Sequence, residues 1–473
     1  MATNSESVII GGGQAGLAVS YYLTQFNRRH IIFEQETAAA SAWRNRRWDS
    51  FTLNTPNWQS ALPGTDVPGS DPDGFLGREE IVAYLEDYIK RFELPVRYGV
   101  RVESVERNPA GSGYVVKTTI GKVEAENVVV ATGLHQVPKF PLFSRYFPPW
   151  ILQIHSDYYR NPQSLPAGSV LVVGSAQTGA QIAAELNQAG RKVYLSTCSA
   201  GRMPRCYRGK DSNRWQLEMG AYERTVDRLP SPKAKFGGTP RHWDKEGRLR
   251  VSLHQLASDG VVLLGRTLGV RGDYLLLASD LKENIRKEDK FEADFLKRVD
   301  EFIAANKIDA PIERLLELRD AYDLADPAEL NLRESKITTV IWATGYKFDF
   351  SLVRFPVLDS DGYPIQTHGV TAIPGLYFVG LPWLHKAKSG LLFGLEEDAA
   401  NIAATIMERR VAPARRVTDS SGSKDRSSFK AKVPLITRGT TRIGKESASR
   451  LSEEGADVVL AHLESPLRKS SRP

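Results

Sequence analysis

The chain has 473 residues, 25% charged and 41% hydrophobic, the balance of a soluble globular protein too long for one ordinary core, so two or three domains are expected. No stretch offers about 18 uninterrupted apolar residues, which argues against a membrane-spanning helix. The net charge of +7 is concentrated at the end, where residues 411–473 carry 13 Lys and Arg against 7 Asp and Glu; the body is nearly neutral, which argues against a nucleic-acid surface.

Val8, Ile9 and Ile10 form a short β-branched run without charge and read as a buried parallel strand. The run starts so near Met1 that no secretory leader is expected, and the protein is expected in the cytoplasm. Gly11, Gly13 and Gly16 then give G-x-G-x-x-G around Gln14 and Ala15, and Leu17, Ala18, Tyr21, Tyr22 and Leu23 follow at helical spacing. In such a turn the first glycine allows the bend, the second lets a pyrophosphate reach the backbone, and the third lets helix and strand pack closely. The helix start offers unpaired N–H groups to phosphate oxygens. A second strand, residues 30–33, leads into Glu34 and Gln35; Glu34 lies 18 residues after Gly16, where a carboxylate accepts hydrogen bonds from a ribose diol. Strand, glycines, helix, strand and acid in that order predict a dinucleotide site of the FAD type.

Residues 41–64, SAWRNRRWDSFTLNTPNWQSALPG, interleave Trp43, Trp48, Phe51 and Trp58 with Arg44, Arg46 and Arg47. Placed just after the ribose carboxylate, this loop is expected to cover the flavin ring, with Asn54 or Thr55 bonding its polar edge, while at least two of the three Trp are core. Residues 77–92 read as an amphipathic helix, 96–105, 114–119 and 124–130 as strands, and the last strand runs into Ala131-Thr132-Gly133, which returns the chain to the cofactor.

A second nucleotide turn follows the strand at 169–173: Gly174-Ser175-Ala176-Gln177-Thr178-Gly179, with Ala176 in place of the middle glycine. The next strand, 192–196, ends without an acid and runs into Ser196, Thr197, Arg202, Arg205 and Arg208, whose hydroxyl and guanidinium groups suit the 2′-phosphate of NADPH over NADH. Cys198 and Cys206 form neither CxxC nor CxxxxC, which argues against a disulfide framework and a dithiol–disulfide reductase mechanism. Residues 211–331 are an insertion that shapes a pocket or simply packs: 215–229 reads as helix, 237–247 as loop, 261–277 as strands, 280–306 as one long helix or two. KITTVIWATG at 336–345 repeats the strand-plus-ATG pattern, and IPGLYFVG at 373–380 is a further strand. A helix at 391–407 is expected to start near Ser389 and Gly390 and to aim its positive end at reduced flavin, a task shared by His385, Lys386 and Lys388. Residues 418–432 are a Ser- and charge-rich linker, and 432–462 look like the opening βαβ of a short-chain dehydrogenase. Arg438 and Arg442 stand where its glycines belong, so this end reads as a degenerate fragment, poorly ordered and without a cofactor.

From Ser7 to Arg410 these motifs resemble the two-dinucleotide-binding flavoprotein superfamily and, within it, the class B flavin-dependent monooxygenases, with bacterial single-chain flavoproteins labelled for ion transport as the nearest likeness. His155 and Tyr159 match the second half of that class's F-x-G-x-x-x-H-x-x-x-(F/Y/W) pattern, while Pro149 and Ile151 replace its Phe and Gly. The resemblance implies an α/β fold of two Rossmann-like domains, the NADP domain inserted into the FAD domain: 1–160 FAD, 161–335 NADPH with the insertion, 336–410 FAD again, 411–432 linker and 433–473 tail. Its implied cofactor-binding residues are Gly11, Gly13, Gln14, Ala15, Gly16, Glu34, Gln35, Trp43, Arg44, Val102, Thr132 and Gly133. The second set is Gly174, Ser175, Gln177, Thr178, Gly179, Ser196, Arg202, Arg205, Gly345, Gly380, Ser389 and Leu391. Asn54 is the catalytic candidate and no metal is implied. The implied reaction passes hydride from NADPH to FAD and uses a flavin C4a-(hydro)peroxide to oxygenate an amine nitrogen, a sulfide or a carbonyl compound. O2 and a small molecule are the expected partners, with no nucleic acid and no membrane span, and a homodimer is left open. The alternatives are an NADPH oxidase or flavin reductase, and a slow-turnover flavin redox sensor.

Overall fold

The computed structural model describes residues 3–109, 111–238, 240–243, 251–315 and 318–409, and the two strands Leu435–Thr437 and Val459–Ala461. In β1 (Thr3–Ile10), Val8 and Ile9 are both fully buried although they point to opposite faces. Ile9 packs with Leu17, Ala18 and Leu23 of α1 (Gln14–Gln25), whereas Val8 and Ile10 join Phe33 of β2 (His30–Phe33) in a core on the other side. This two-sided burial is why Val8, Ile9 and Ile10 follow one another with no polar residue between them. Helix α2 (Arg78–Arg91) adds Ile81, Leu85 and Tyr88 to the first of these cores, its start closed by the Gly77 N–H donating to Glu80 Oε2 at 2.7 Å. The chain continues through β3 (Val96–Arg97), β4 (Val102–Arg107), β5 (Tyr114–Thr118) and β6 (Gly121–Val130).

A second parallel sheet then begins with β7 (Leu152–His155), β8 (Ser169–Val173), α3 (Gln177–Gln188), β9 (Val193–Ser196) and β10 (Val262–Leu264). After α4 (Leu281–Asn306) the chain enters β11 (Ile337–Trp342), then returns to the first sheet with β12 (Leu376–Phe378) and ends in α5 (Leu395–Glu408). The first sheet runs β12-β6-β1-β2-β3 in parallel, with β5 and β4 hanging antiparallel from β6; the second runs β10-β9-β8-β11-β7, all parallel. Register aligns Phe33, Ile10, Val130 and Phe378 in one sheet and Leu264, Ser196, Val173, Trp342 and His155 in the other, so these parallel strands of each sheet end along one rim. In open α/β sheets that rim, at the point where strand order reverses, is where ligands bind.

The insertion differs from its sequence reading in two places. Helix Ser212–Glu218 stops early because Gly220 turns left-handed (φ 71°), and only single turns, Ala221–Glu223 and Val226–Arg228, follow. Part of the expected loop is a strand, Arg241–Trp243, parallel to Arg202–Pro204. The stretch from residue 280 forms one uninterrupted helix, α4.

The chain divides into two units, Met1–Val411 and Ala412–Pro473. Within the second unit, Leu435–Thr437 and Val459–Ala461 pair in parallel. The linker and the rest of the dehydrogenase-like tail lie outside the described residues. Among the described residues, no helix is long and apolar enough to cross a membrane.

Candidate functional site

The two glycine turns are built alike. Gly11 follows β1 at φ 109° and Gly174 follows β8 at φ 105°. A Cβ on Gly11 would lie 2.5 Å from the Ala131 carbonyl oxygen, and one on Gly174 would lie 2.5 Å from that of Ala343. Each ATG segment therefore seals the strand-order reversal beside its own nucleotide turn, and Gly133 and Gly345 both turn at positive φ just beyond. Gly16 and Gly179 are pressed against the carbonyls of Gly11 and Gly174, with hypothetical Cβ–O distances of 2.1 and 1.8 Å. Gly13, capping α1 with extended backbone (φ −80°, ψ 177°), has nothing within 4 Å of where a Cβ would stand. That open cradle fits a pyrophosphate. Ala176 caps α3 with the same backbone (φ −69°, ψ −178°), and its methyl fills the corresponding space.

Around the first turn, Glu34 accepts from the Gly12 N–H at 2.7 Å and the Glu36 N–H at 3.0 Å, which places its carboxylate beside the glycines; Gln35 is exposed. The indole N–H of Trp43 donates to Gln14 Oε1 at 3.2 Å, Arg44 pairs with Glu86 at 2.7 Å, and the buried Arg44 Nε has no partner within the protein. Gly380 meets Ala15, a Cβ there falling 2.5 Å from Ala15 Cβ, so the end of β12 lies against the start of α1. Thr132 Oγ1 and the Gly133 carbonyl accept from Gln136 Nε2, each at 2.9 Å. Val102 packs in the core with Ile10 and Phe33. Of the aromatic loop, Trp48 belongs to the core of the second sheet, while Arg47 lies 5.2 Å from the Trp43 ring and 5.5 Å from Phe51. Asn54 is half-buried, its Oδ1 accepting from Gln181 Nε2 at 3.1 Å.

Around the second turn the side chains depart from expectation. Ser175 Oγ accepts from the Cys198 N–H at 3.0 Å and Gln177 Oε1 from the His242 N–H at 3.0 Å, so both are tied inward; Thr178 is half-buried. Ser196 is buried and bonds Gly265 and Thr267. Arg202 does not reach toward a 2′-phosphate: it pairs with Glu292 at 2.6 Å, Asp289 at 2.9 Å and Glu288 at 3.5 Å, all on α4. Arg205 pairs with Asp211 at 3.2 Å and donates to the Asn54 carbonyl at 2.8 Å, and Arg208 pairs with Asp300 at 2.8 Å. Buried guanidiniums take carboxylate partners because an unpaired charge there is costly.

The final helix is also placed differently. A 3-10 turn, Leu392–Gly394, intervenes between Leu391 and α5, and the first turn of α5 carries Glu396, Glu397 and Asp398, which meet its positive end. Ser389 Oγ accepts from the His385 and Lys386 N–H groups, at 3.2 and 3.1 Å. Lys386 and Lys388 each bridge Glu223 and Glu397. These cations neutralise protein carboxylates rather than standing free for a flavin. His155 Nε2 lies 3.1 Å from the Gly345 carbonyl, and Tyr346 donates its hydroxyl to Asp157, burial and that carboxylate holding the phenol above its usual range. Sequence reading missed Gln181 and Arg241, which bonds the Ser175 carbonyl; no local spacing pairs either with its partner.

Residues 8–209 match the family model for pyridine nucleotide-disulphide oxidoreductases. An uncharacterized CzcO-like oxidoreductase of Geobacillus kaustophilus is 35% identical over 396 residues, spanning 83% of this chain and 96% of that protein. The probable indole-3-pyruvate monooxygenase YUCCA4 of Arabidopsis thaliana is 29% identical over 182 residues, 38% of this chain and 43% of that protein. The fold is shared with a solved flavin-containing monooxygenase from Stenotrophomonas maltophilia, at TM-score 0.59 and 20% identity over 86% of this chain and 99% of that one. Two equivalent nucleotide turns on two parallel sheets, with this identity over nearly the whole length of a relative, mean that the chain belongs to the CzcO-like oxidoreductases and has the α/β fold of the solved flavin monooxygenases.

Proposed function

We propose that the protein is an FAD- and NADPH-dependent monooxygenase that acts in the cytoplasm and places one oxygen atom from O2 on a nitrogen, sulfur or carbonyl centre of a small organic substrate. The observation that carries this reading is the pair of matched turns at Gly11 and Gly174 within one unit, in a chain whose Cys198 and Cys206 form neither CxxC nor CxxxxC. When bound, FAD accepts hydride from NADPH and delivers activated oxygen to the substrate. Gly11, Gly13, Gly16 and Glu34 would hold the FAD pyrophosphate and ribose, with the unpartnered Arg44 Nε as a further donor. Gly174, Gln177 and Gly179 would hold the NADPH pyrophosphate. Asn54 would donate to the flavin edge, and Trp43 and Phe51 would exclude water from it.

The test is to reduce the FAD-loaded protein anaerobically with NADPH and mix it with O2 in a stopped-flow spectrophotometer. A persistent near-ultraviolet transient, shortened by substrate, is expected. Direct return to oxidised FAD with stoichiometric hydrogen peroxide would overturn oxygenation. That outcome would leave the second reading, an NADPH oxidase or flavin reductase, favoured by the methyl of Ala176 where the first turn is open.

A further inference from the structure

Asn54 is held by two residues on the side of the second sheet. Gln181 of α3, two positions past Gly179, donates Nε2–H to Asn54 Oδ1 at 3.1 Å. Arg205 donates to the Asn54 main-chain carbonyl at 2.8 Å. Arg205 is itself a fixed post: 5% exposed, paired with Asp211 at 3.2 Å, its guanidinium 4.6 Å from the ring of Phe75. The backbone on either side of Asn54 is pinned as well, the Leu53 N–H donating to Leu76 O and the Asn57 N–H to Gly74 O, both at 2.9 Å. What remains to be decided at Asn54 is which end of its carboxamide faces α3. An amide has one accepting oxygen and one donating nitrogen, so a donor at Oδ1 leaves the N–H2 as the outward end.

We propose that Gln181 and Arg205 are positioning residues for Asn54: they hold its oxygen and its main-chain carbonyl from the nicotinamide-nucleotide side, keep its N–H2 end free for the flavin edge, and tie that orientation to the seat of α3. This rests on the reading of Asn54 as the flavin-edge donor. It assigns to Arg205 a task unlike the 2′-phosphate contact expected from sequence. It also gives Gln181 a reason to sit on the helix that follows the second nucleotide turn.

FAD-loaded wild type is compared with Gln181→Met, Gln181→Glu, Arg205→Lys, Asn54→Ala and the double variant Asn54→Ala/Gln181→Met. Two quantities are read: the visible absorption spectrum of oxidised bound FAD, with no turnover, and the rate of peroxide release per NADPH consumed. Gln181→Glu puts an acceptor where the donor stood and turns the Asn54 amide round. It should shift the spectrum as Asn54→Ala does and raise peroxide release about three- to tenfold, the weight of one neutral hydrogen bond. Gln181→Met and Arg205→Lys should give smaller changes of the same sign, and Gln181→Met should add nothing in the Asn54→Ala background. Wild-type spectrum and peroxide in Gln181→Glu, alongside an altered Asn54→Ala, would overturn the proposal, as would a Gln181→Met effect undiminished in the double variant. If Asn54→Ala itself keeps both wild-type readings, the assignment of Asn54 fails first and the proposal falls with it.

Discussion

A Cβ placed on Gly179 would stand 1.8 Å from the carbonyl oxygen of Gly174, and the oxygen is main chain, so nothing flexible can swing away. Gly16 stands in the same relation to Gly11, at 2.1 Å. Gly179→Ala is therefore expected to push α3 off β8 and raise the KM for NADPH by about tenfold or more while FAD stays bound, whereas Gly16→Ala should lose FAD. Each should also cost about 1–3 kcal/mol of stability through overpacking. The flavin-to-protein absorbance ratio after gel filtration, with NADPH kinetics on the retained holoprotein, separates the two. Loss of FAD from Gly179→Ala would contradict the assignment of one nucleotide to each turn.

Ala176→Gly should act in the opposite sense. Ala176 is an N-cap, where glycine is preferred to alanine, so the exchange does not weaken α3. It also restores the open cradle seen at Gly13. The Kd for NADPH, titrated by quenching of protein fluorescence, is expected to fall about two- to tenfold, the range of one recovered hydrogen bond. An unchanged Kd would mean that the methyl lies clear of the pyrophosphate.

These two turns were legible because their constraints are local: the bend, the open space and the close packing fall within six residues of each other, from Gly11 to Gly16. The arginine loop was not. A sequence window shows Arg202 as a free guanidinium, yet its partner Glu292 lies 90 positions on, carried to it by α4. The start of α5 was misplaced for a similar reason. Apolar spacing continues back through Leu391 and Leu392, but Gly394 is packed so tightly on the Lys388 carbonyl that a Cβ would come within 2.0 Å, and the chain takes a 3-10 turn there first. Asn54 is proposed from its place in the loop after Glu34, whereas Gln181 and Arg205, which bond it, lie 127 and 151 positions on, beyond any local spacing.

Arg202→Met tests the corrected role of that arginine. It takes from the buried Glu292 the guanidinium it pairs with at 2.6 Å, while Glu288 keeps Arg241, and is expected to cost about 3–5 kcal/mol. The ratio of kcat/KM for NADPH over NADH should not move, because the guanidinium is spent on α4. Urea unfolding and the two coenzyme titrations are read on the same preparation. A collapsed NADPH preference with unchanged stability would return Arg202 to the 2′-phosphate.

Asp398 gives the fold a signed pH dependence. It is 3% exposed on the first turn of α5, and one of its oxygens, Oδ2, has no partner. Burial above all pushes its carboxyl up to about 6; the Ser389 hydroxyl opposes the rise, Glu397 adds to it, and Lys388 and Lys386 oppose it from farther off. An unfolded aspartate loses its proton near pH 3.9, so between about pH 4 and pH 6 the folded chain holds a proton the unfolded chain has released. Stability from this group is therefore present below about pH 4, falls as pH rises to about 6, and stays lost above; the whole drop is at most about 3 kcal/mol. Asp398→Asn carries no charge to bury at any pH. Its unfolding midpoint should exceed that of wild type at pH 8, and the difference should shrink to about a third by pH 4.5 and close below about pH 4, where the carboxyl is protonated in both the folded and the unfolded chain. Comparing the two proteins at each pH cancels the other titrating groups, provided they are far enough away to be independent. A difference that stays constant from pH 4.5 to pH 8 would show that the Asp398 carboxyl is ionised in the folded protein throughout that range.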